Sequence, residues 1–120
     1  MNSIINIGVI LIALLHAWFL ILEMFLWQKS TGLKTFHMDA DFAKRSANLA
    51  ANQGLYNGFI AAGLLWSVLA QSLDLKVFFL SCVSIAGIYA GLTAFRKIFW
   101  VQAFPAIVVL GLLLFSTNFS

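Results

Sequence analysis

The sequence predicts an all-α membrane protein with four transmembrane helices in an up-down bundle and a short amphipathic helix between the first two. Of its 120 residues, 62% are hydrophobic and only 9% are charged, whereas a soluble domain carries roughly 25% charged residues. Four nearly uncharged blocks lie at residues 4–27, 52–71, 77–95 and 98–117. Each approaches the ~20 residues that cross a bilayer as a helix, and none alternates with the period of two typical of a membrane barrel. We therefore expect one integral membrane domain over residues 1–120.

The first block follows Met1-Asn2-Ser3, which carries neither lysine nor arginine. It is also longer than the ~7–15 apolar residues at the centre of a signal peptide. We therefore expect this segment to stay in the protein as the first transmembrane helix.

The loop at residues 28–51 predicts a helix on the membrane surface. Apolar side chains recur in it at roughly helical spacing: Phe36, Met38, Phe42 and Leu49. Asp39 is suited to cap a helix that begins near Ala40, and Asp41 and Arg45 have the i,i+4 spacing of an ion pair. An amphipathic helix that runs into the second transmembrane helix fits this pattern. A solvated loop is the alternative.

The basic residues lie between the blocks and predict the orientation of the chain. The first and third loops hold six of them: Lys29, Lys34, Lys44 and Arg45 in the first, Arg96 and Lys97 in the third. The middle loop has only Lys76, close to Asp74. The positive-inside rule then places the two basic loops in the cytoplasm and both termini outside. Basic residues spread in this way, with a net charge of +3, do not form the basic run of a nucleic-acid-binding protein.

Glu23 is the only acidic residue inside the four blocks. An acid at such a place costs roughly 2.5–3.5 kcal/mol on insertion scales and is a functional candidate by default. Polar side chains of the other helices fall at about its depth, in the cytoplasmic half, and His16 shares its helix face ~10 Å deeper. The predicted ligand-binding or polar pocket comprises His16, Glu23, Asn52, Gln53, Tyr56, Asn57, Tyr89, Thr93, Arg96 and Gln102. Pro105 adds to this layer, because a proline inside a helix leaves the Val101 carbonyl without its partner.

The same polar groups have a structural interpretation. Asparagine, glutamine and tyrosine bridge membrane helices for about 0.6 kcal/mol each, and Arg96 is the expected partner of the Glu23 carboxylate. Two small-residue stripes predict close helix packing: Gly54 with Gly58, and Gly87 with Gly91. We expect the first stripe to pack within the chain and the second to form a homodimer contact.

A family resemblance rests on several of these segments. They are His16 with residues 22–27, residues 51–59 with 61–64, residues 86–89 with Thr93, and residues 101–102 with 105–106. In them the chain resembles a family of small four-helix bacterial membrane proteins known only as domain of unknown function thirteen-oh-four. The resemblance implies a multi-pass protein of the bacterial inner (cytoplasmic) membrane and no established activity. The small multidrug-resistance exporters are similar in outline only, because they lack the Asn-Gln-Gly-Leu-Tyr-Asn-Gly segment at 52–58.

Three functions are compatible with the sequence. The favoured one is binding or transport of a small amphipathic or lipid-like ligand, with Glu23 exchanging a proton for the cargo. The alternatives are an enzyme acting on a lipid or isoprenoid-like substrate, with Glu23 as general acid or base, and an accessory subunit of a membrane complex. No recognisable catalytic motif or metal-ligand spacing is present, so we expect no cofactor and no metal. The single cysteine, Cys82, is expected to be a packing residue, and the expected partners are the bilayer, a small-molecule or lipid ligand and a second copy of the chain.

Overall fold

A computed structural model describes residues 2–119, and these residues form helices and turns without a strand. The helices are α1 (Asn2–Met24), α2 (Ser30–Thr35), α3 (Ala40–Leu69), α4 (Leu73–Thr93) and α5 (Phe104–Phe119). A π-helical turn, Phe99–Ala103, leads directly into α5. The all-α prediction is therefore confirmed.

Three stretches of the described chain are long and apolar enough to cross a membrane. They are Asn2–Met24, Leu73–Thr93 and Phe99–Thr117. The fourth predicted span, residues 52–71, forms the C-terminal part of α3 and does not qualify, because the amides of Asn52, Gln53 and Asn57 lower its hydropathy. The count of four transmembrane helices is thus not confirmed.

The outer surface of the described helices supports membrane association. Large apolar side chains stand exposed along them, among them Leu69 at 84%, Ile85 at 68% and Leu92 at 82% of their full accessible area. Soluble monomers rarely expose contiguous apolar patches above a few hundred Å². A surface of this kind, on helices of this length, belongs in a bilayer.

The chain forms two compact units, of which one is Leu14–Ala61 and the other is the remainder. In the Leu14–Ala61 unit, α1 ends at Met24, three residues before the predicted boundary at Trp27. The helix ends there because the N–H groups of Phe25 and Leu26 both donate to the Ile21 carbonyl, at 3.0 and 3.1 Å. Trp27 therefore lies in a turn, where its indole N–H donates to Ser46 Oγ at 3.0 Å. Glu23 is in the last turn of α1, and its depth in a membrane stays a prediction.

The loop after α1 contains one helix that the sequence did not predict and one helix cap that it did. Helix α2 was not predicted, and it forms where Gly32 packs directly on the carbonyl oxygens of Leu26 and Trp27. The cap is confirmed: α3 begins at Ala40, and Asp39 Oδ1 accepts the N–H of Phe42 at 2.7 Å. The amphipathic segment is the first part of the continuous 30-residue α3, as expected of a helix that runs into the second apolar block. Its position on a membrane surface stays a prediction.

In the remainder of the chain, α4 packs against α5 and the π-helical turn. Ser72 caps α4, since its Oγ accepts the N–H of Leu75 at 3.1 Å. The Val101 carbonyl, which we expect Pro105 to leave without a partner, lies in the π-helical turn, and its loss of a partner stays a prediction. That prediction assumed α-helical pairing, whereas here the N–H of Phe104 donates to the carbonyl of Phe99, five residues earlier, and Pro105 falls in the first turn of α5.

The Gly87/Gly91 stripe lies inside this unit. A Cβ at Gly87 would be 2.8 Å from the backbone nitrogen of Ala103, and a Cβ at Gly91 would be 2.8 Å from Phe99 Cβ. The chain's own π-helical turn therefore covers the stripe. A homodimer through it stays a prediction, but a partner would have to displace that turn.

Candidate functional site

The candidate site is centred on a hydrogen bond between α1 and α3. Asn57 is buried, with 9% of its area exposed, and its Nδ2 donates to Glu23 Oε1 at 2.5 Å. Glu23 itself is half-buried in the last turn of α1. A hydrogen bond to an ionised carboxylate contributes about 1.5–3 kcal/mol. The predicted acid therefore meets one of its predicted partners.

Glycine makes this contact geometrically feasible. A Cβ at Gly54 would lie 2.7 Å from Met24 Cγ and 3.1 Å from Glu23 Cβ, and one at Gly58 would lie 2.6 Å from Leu20 Cδ1. The absence of side chains at both positions brings the two backbones close enough for the short Asn57 amide to reach the carboxyl. The prediction that the Gly54/Gly58 stripe packs within the chain is confirmed.

An open depression of about 370 Å³ adjoins the carboxyl, and we call it the Glu23 depression. Its lining consists of Glu23, Met24, Phe25, Trp27, Gln28, Lys29 and Ala47. Trp27 is held in place on both sides, by Ser46 and by the Phe36 ring, whose centroid is 5.0 Å away. The lining thus combines a carboxyl, an ammonium, an amide and a fixed aromatic ring, with exposed apolar side chains beside them.

Glu23 is the one predicted site residue among these seven lining residues. Met24, Phe25 and Ala47 are apolar, and Trp27, Gln28 and Lys29 follow the apolar block at its predicted end, where the sequence indicates a boundary and a basic loop rather than a site. The turn that ends α1 at Met24 brings them together. No pattern in the sequence marks that turn, so the lining could not have been predicted.

A family comparison bears on this site. A family model described as "Protein of unknown function (DUF1304)" matches residues 10–114. The chain belongs to this family. The uncharacterized protein YpaA of Lactococcus lactis subsp. lactis (strain IL1403) is 31% identical over 105 residues, which cover 84% of this chain and 88% of that protein. No solved structure matches.

The family's description corrects the fuller account that the resemblance implied. It records unknown function only, without a helix count, a membrane or a group of organisms. Four helices and a bacterial inner membrane therefore do not follow from family membership. Since the Lactococcus relative is also uncharacterized, the family assigns no role to Glu23 or Asn57.

The other predicted residues of Leu14–Ala61 do not line the Glu23 depression. His16 is buried, with 1% exposed, and its ring meets Phe19 edge-on at a centroid distance of 5.3 Å. Asn52, Gln53 and Tyr56 are exposed. The Asn52 amide donates to its own helix, at the Asn48 carbonyl, 3.0 Å away.

The remaining predicted residues lie on α4, after it, and in the π-helical turn. Gln102 Nε2 donates to the Val83 carbonyl at 3.1 Å and so ties the turn to α4. Tyr89 and Thr93 are exposed, and Thr93 Oγ1 donates to the Tyr89 carbonyl at 2.7 Å. Arg96 is exposed as well. That all ten residues share one pocket, and that Arg96 pairs with Glu23, stay predictions.

Proposed function

We propose that this protein is a multi-pass membrane protein that binds a small amphipathic ligand in the Glu23 depression. The observation that carries the proposal is the Asn57–Glu23 hydrogen bond at the wall of an open, partly apolar concavity. A buried amide that fixes a carboxyl in this way presents it in one orientation to the depression. Intramembrane carboxyl groups commonly mark ligand or ion pathways.

The lining indicates the chemistry of the ligand. The Glu23 carboxyl accepts hydrogen bonds, and the Trp27 ring beside it favours a cation over its face. Met24 and Phe25 are exposed next to them and offer an apolar surface for a hydrocarbon tail. A ligand with a hydrogen-bond-donating, cationic head and an apolar tail complements these four side chains, with its head at Glu23 rather than at the Lys29 ammonium, which also lines the depression.

The proposal is tested with dodecylammonium as the probe and Trp27 fluorescence as the readout. The chain has four tryptophans, so replacing Trp18, Trp66 and Trp100 with phenylalanine leaves Trp27 as the reporter. We expect a saturable change in its emission, which Glu23→Gln abolishes or weakens about tenfold. Asp74→Asn, at an exposed acid outside the depression, is the control and should behave as wild type. A titration that does not saturate, or an equal affinity in Glu23→Gln, would overturn the proposal.

A purely structural role for Glu23 is the second candidate, because the same hydrogen bond joins α1 to α3. The two candidate functions predict different behaviour of the variant Glu23→Gln. Glutamine at position 23 keeps an oxygen that accepts from the Asn57 amide but has no charge. Ligand binding predicts that Glu23→Gln unfolds like wild type and loses the probe. A structural role predicts no saturable probe binding in either protein.

We further propose that α3 is a fourth span, that both termini lie outside the cytoplasm, and that the membrane is a bacterial inner membrane. Gly54 of α3 packs at the Met24 end of α1, and Gln71, just after α3, lines a depression together with Asn2 and Asn6 at the start of α1. The part of α3 from Asn52 to Leu69 is by itself long enough to cross the hydrocarbon of a bilayer. The basic loops then face the cytoplasm.

Cysteine labelling distinguishes the two topologies. In a Cys82→Ala background, single cysteines at Thr35, Gln71 and Lys97 are treated in intact cells with a membrane-impermeant maleimide. Four spans predict labelling at Gln71 alone, whereas three spans predict that Thr35 and Gln71 react alike. Labelling of Thr35 in intact cells would contradict the proposed orientation.

A further inference from the structure

A second depression lies away from Glu23, where the start of α1, the turn between α3 and α4, and the end of α5 meet. It has a volume of about 490 Å³, within the ~300–1,000 Å³ of small-molecule sites. We call it the Asn6 depression. Its lining consists of Asn2, Asn6, Gln71, Leu73, Lys76, Leu113, Ser116 and Thr117. Six of these eight side chains are polar, in a chain that is 62% hydrophobic.

One residue of this lining, Asn6, has a buried acceptor. Asn6 Oδ1 is shielded from solvent and has no hydrogen-bond partner among the described residues. Native proteins leave few buried polar groups unsatisfied, and each one calls for an explanation such as an absent ligand or water.

Two further acceptors line the same depression. Ser116 Oγ donates its proton to the Leu113 carbonyl at 3.0 Å, and Thr117 Oγ1 donates to the Leu114 carbonyl at 2.9 Å. Because each hydroxyl has one proton, both oxygens face a ligand as acceptors only. The complementary ligand must therefore bring several hydrogen-bond donors.

The charge of the lining narrows the ligand further. Among the residues whose side chains the structure describes, Lys76 is the one charged residue of the lining, and none of them is an acid. A lysine ammonium with neighbouring amide donors favours a phosphate. Gln71 adds such an amide from a left-handed backbone conformation, with φ of 51°, a region that non-glycine residues seldom occupy. Glycine would adopt this backbone conformation with less strain, but position 71 has a polar side chain instead.

We propose that the Asn6 depression binds a polyol phosphate diester, namely the headgroup of an anionic lipid such as phosphatidylglycerol. The phosphate lies at Lys76, and of the two diol hydroxyls one donates to Asn6 Oδ1 and the other to Ser116 Oγ or Thr117 Oγ1. Leu73 and Leu113 contact the glycerol backbone. An ethanolamine headgroup would also donate hydrogen bonds, but the Lys76 ammonium would repel it. The proposal is independent of the Glu23 depression.

The test measures lipid binding to the full chain in detergent by native mass spectrometry, with phosphatidylglycerol, phosphatidic acid, phosphatidylethanolamine and phosphatidylcholine. We expect phosphatidylglycerol to bind most tightly. Lys76→Gln should weaken its binding about tenfold, while Lys97→Gln, at a lysine outside the depression, leaves it unchanged. Equal binding of all four lipids, or no effect of Lys76→Gln, would overturn the proposal.

Asn6→Leu separates the role of the buried acceptor from that of the charge. It should lower the affinity for phosphatidylglycerol but not for phosphatidic acid, which has the phosphate without the diol. Because it removes an unsatisfied polar group, the lipid-free variant should unfold no earlier than wild type on heating. A loss of stability without any change in lipid preference would show that Asn6 is structural and refute the site.

Soluble glycerophosphoglycerol distinguishes the two sources of this chemistry. If it displaces phosphatidylglycerol at equal concentration, the occupant is the free polyol phosphate. If only the lipid binds, the acyl chains contribute and the membrane is the source. Both outcomes support recognition of a polyol phosphate, and failure of both ligands to bind contradicts it.

Discussion

Replacement of Gly87 by alanine tests how tightly α4 packs on the π-helical turn. The added Cβ would lie 2.8 Å from the Ala103 nitrogen, 2.9 Å from its Cβ and 3.0 Å from its Cα. Carbon atoms normally approach to about 3.5–4.0 Å, so the two segments would have to separate by roughly 0.5–1 Å. Overpacking of this kind costs about 1–3 kcal/mol, and the obstructing backbone atoms cannot change rotamer to relieve it.

The matched control is Gly111→Ala in α5, because a Cβ there would meet nothing within 4 Å. Both variants gain the same helix propensity of about 0.8–1 kcal/mol, so that term cancels between them. We expect Gly87→Ala to have a free energy of unfolding about 1–3 kcal/mol below that of Gly111→Ala. The measurement is unfolding by sodium dodecyl sulfate in mixed micelles, followed by circular dichroism.

The result that would refute the packing argument is equal stability of the two variants. The same pair also tests the homodimer prediction by analytical ultracentrifugation. If Gly87 served a second copy rather than the π-helical turn, Gly87→Ala would lower the dimer fraction and leave monomer unfolding unchanged.

Three further changes follow from contacts of the Leu14–Ala61 unit, the first two measured in the same unfolding assay and the third by Trp27 fluorescence. Asn57→Ala removes the amide that donates to Glu23 and should lower the free energy of unfolding by about 1–3 kcal/mol. The control is Asn52→Ala, whose amide reaches only its own helix, and it should change that free energy by less than about 0.5 kcal/mol. Similar decreases in the two variants would argue against the Glu23 contact. Asp39→Ala should lower the free energy of unfolding by about 1 kcal/mol, because it removes the cap of α3. Asp39→Asn should keep the cap and the stability. An equal decrease in both variants would show that the charge of Asp39 matters rather than its capping hydrogen bond. Gly32→Ala places a methyl group against backbone carbonyl oxygens of the preceding turn and should displace Trp27. In the protein with Trp27 as its one tryptophan, we expect the emission to shift to longer wavelength. An unchanged spectrum would show that the turn accommodates the methyl group without moving Trp27.

Local signals in the sequence predicted the fold well where one residue decides the outcome. Asp39 predicted the start of α3 because a short side-chain oxygen before a helix satisfies a free N–H group. Asp41 and Arg45 pair as expected, with Nε 2.9 Å from Oδ2. The apolar blocks predicted α1 and α4, since burial of the backbone in hydrocarbon requires helices there.

The candidate site was predicted less completely. Glu23 stood out because its charge contrasts with its neighbours, and Asn57 because it lies at a similar depth. The sequence did not show that Asn57, rather than Asn52, Gln53 or Tyr56, contacts Glu23. All four side chains can form hydrogen bonds, and the rotation of α3 about its axis decides which of them faces α1. That rotation follows from Gly54 packing on Met24, a tertiary fit that a linear pattern does not record.

The π-helical turn has a consequence for evolution within the family. A π-helical turn holds one residue more than α-helical geometry requires, so it is equivalent to a single-residue insertion in a regular helix. Deleting one residue between Phe99 and Ala103 would restore α-helical register and rotate the preceding segment by about 100° relative to α5. Gln102 would then lose the Val83 carbonyl, and Gly91 would face a different side chain. Relatives that lack this residue should therefore carry compensating substitutions on α4, most clearly at the positions of its two glycines.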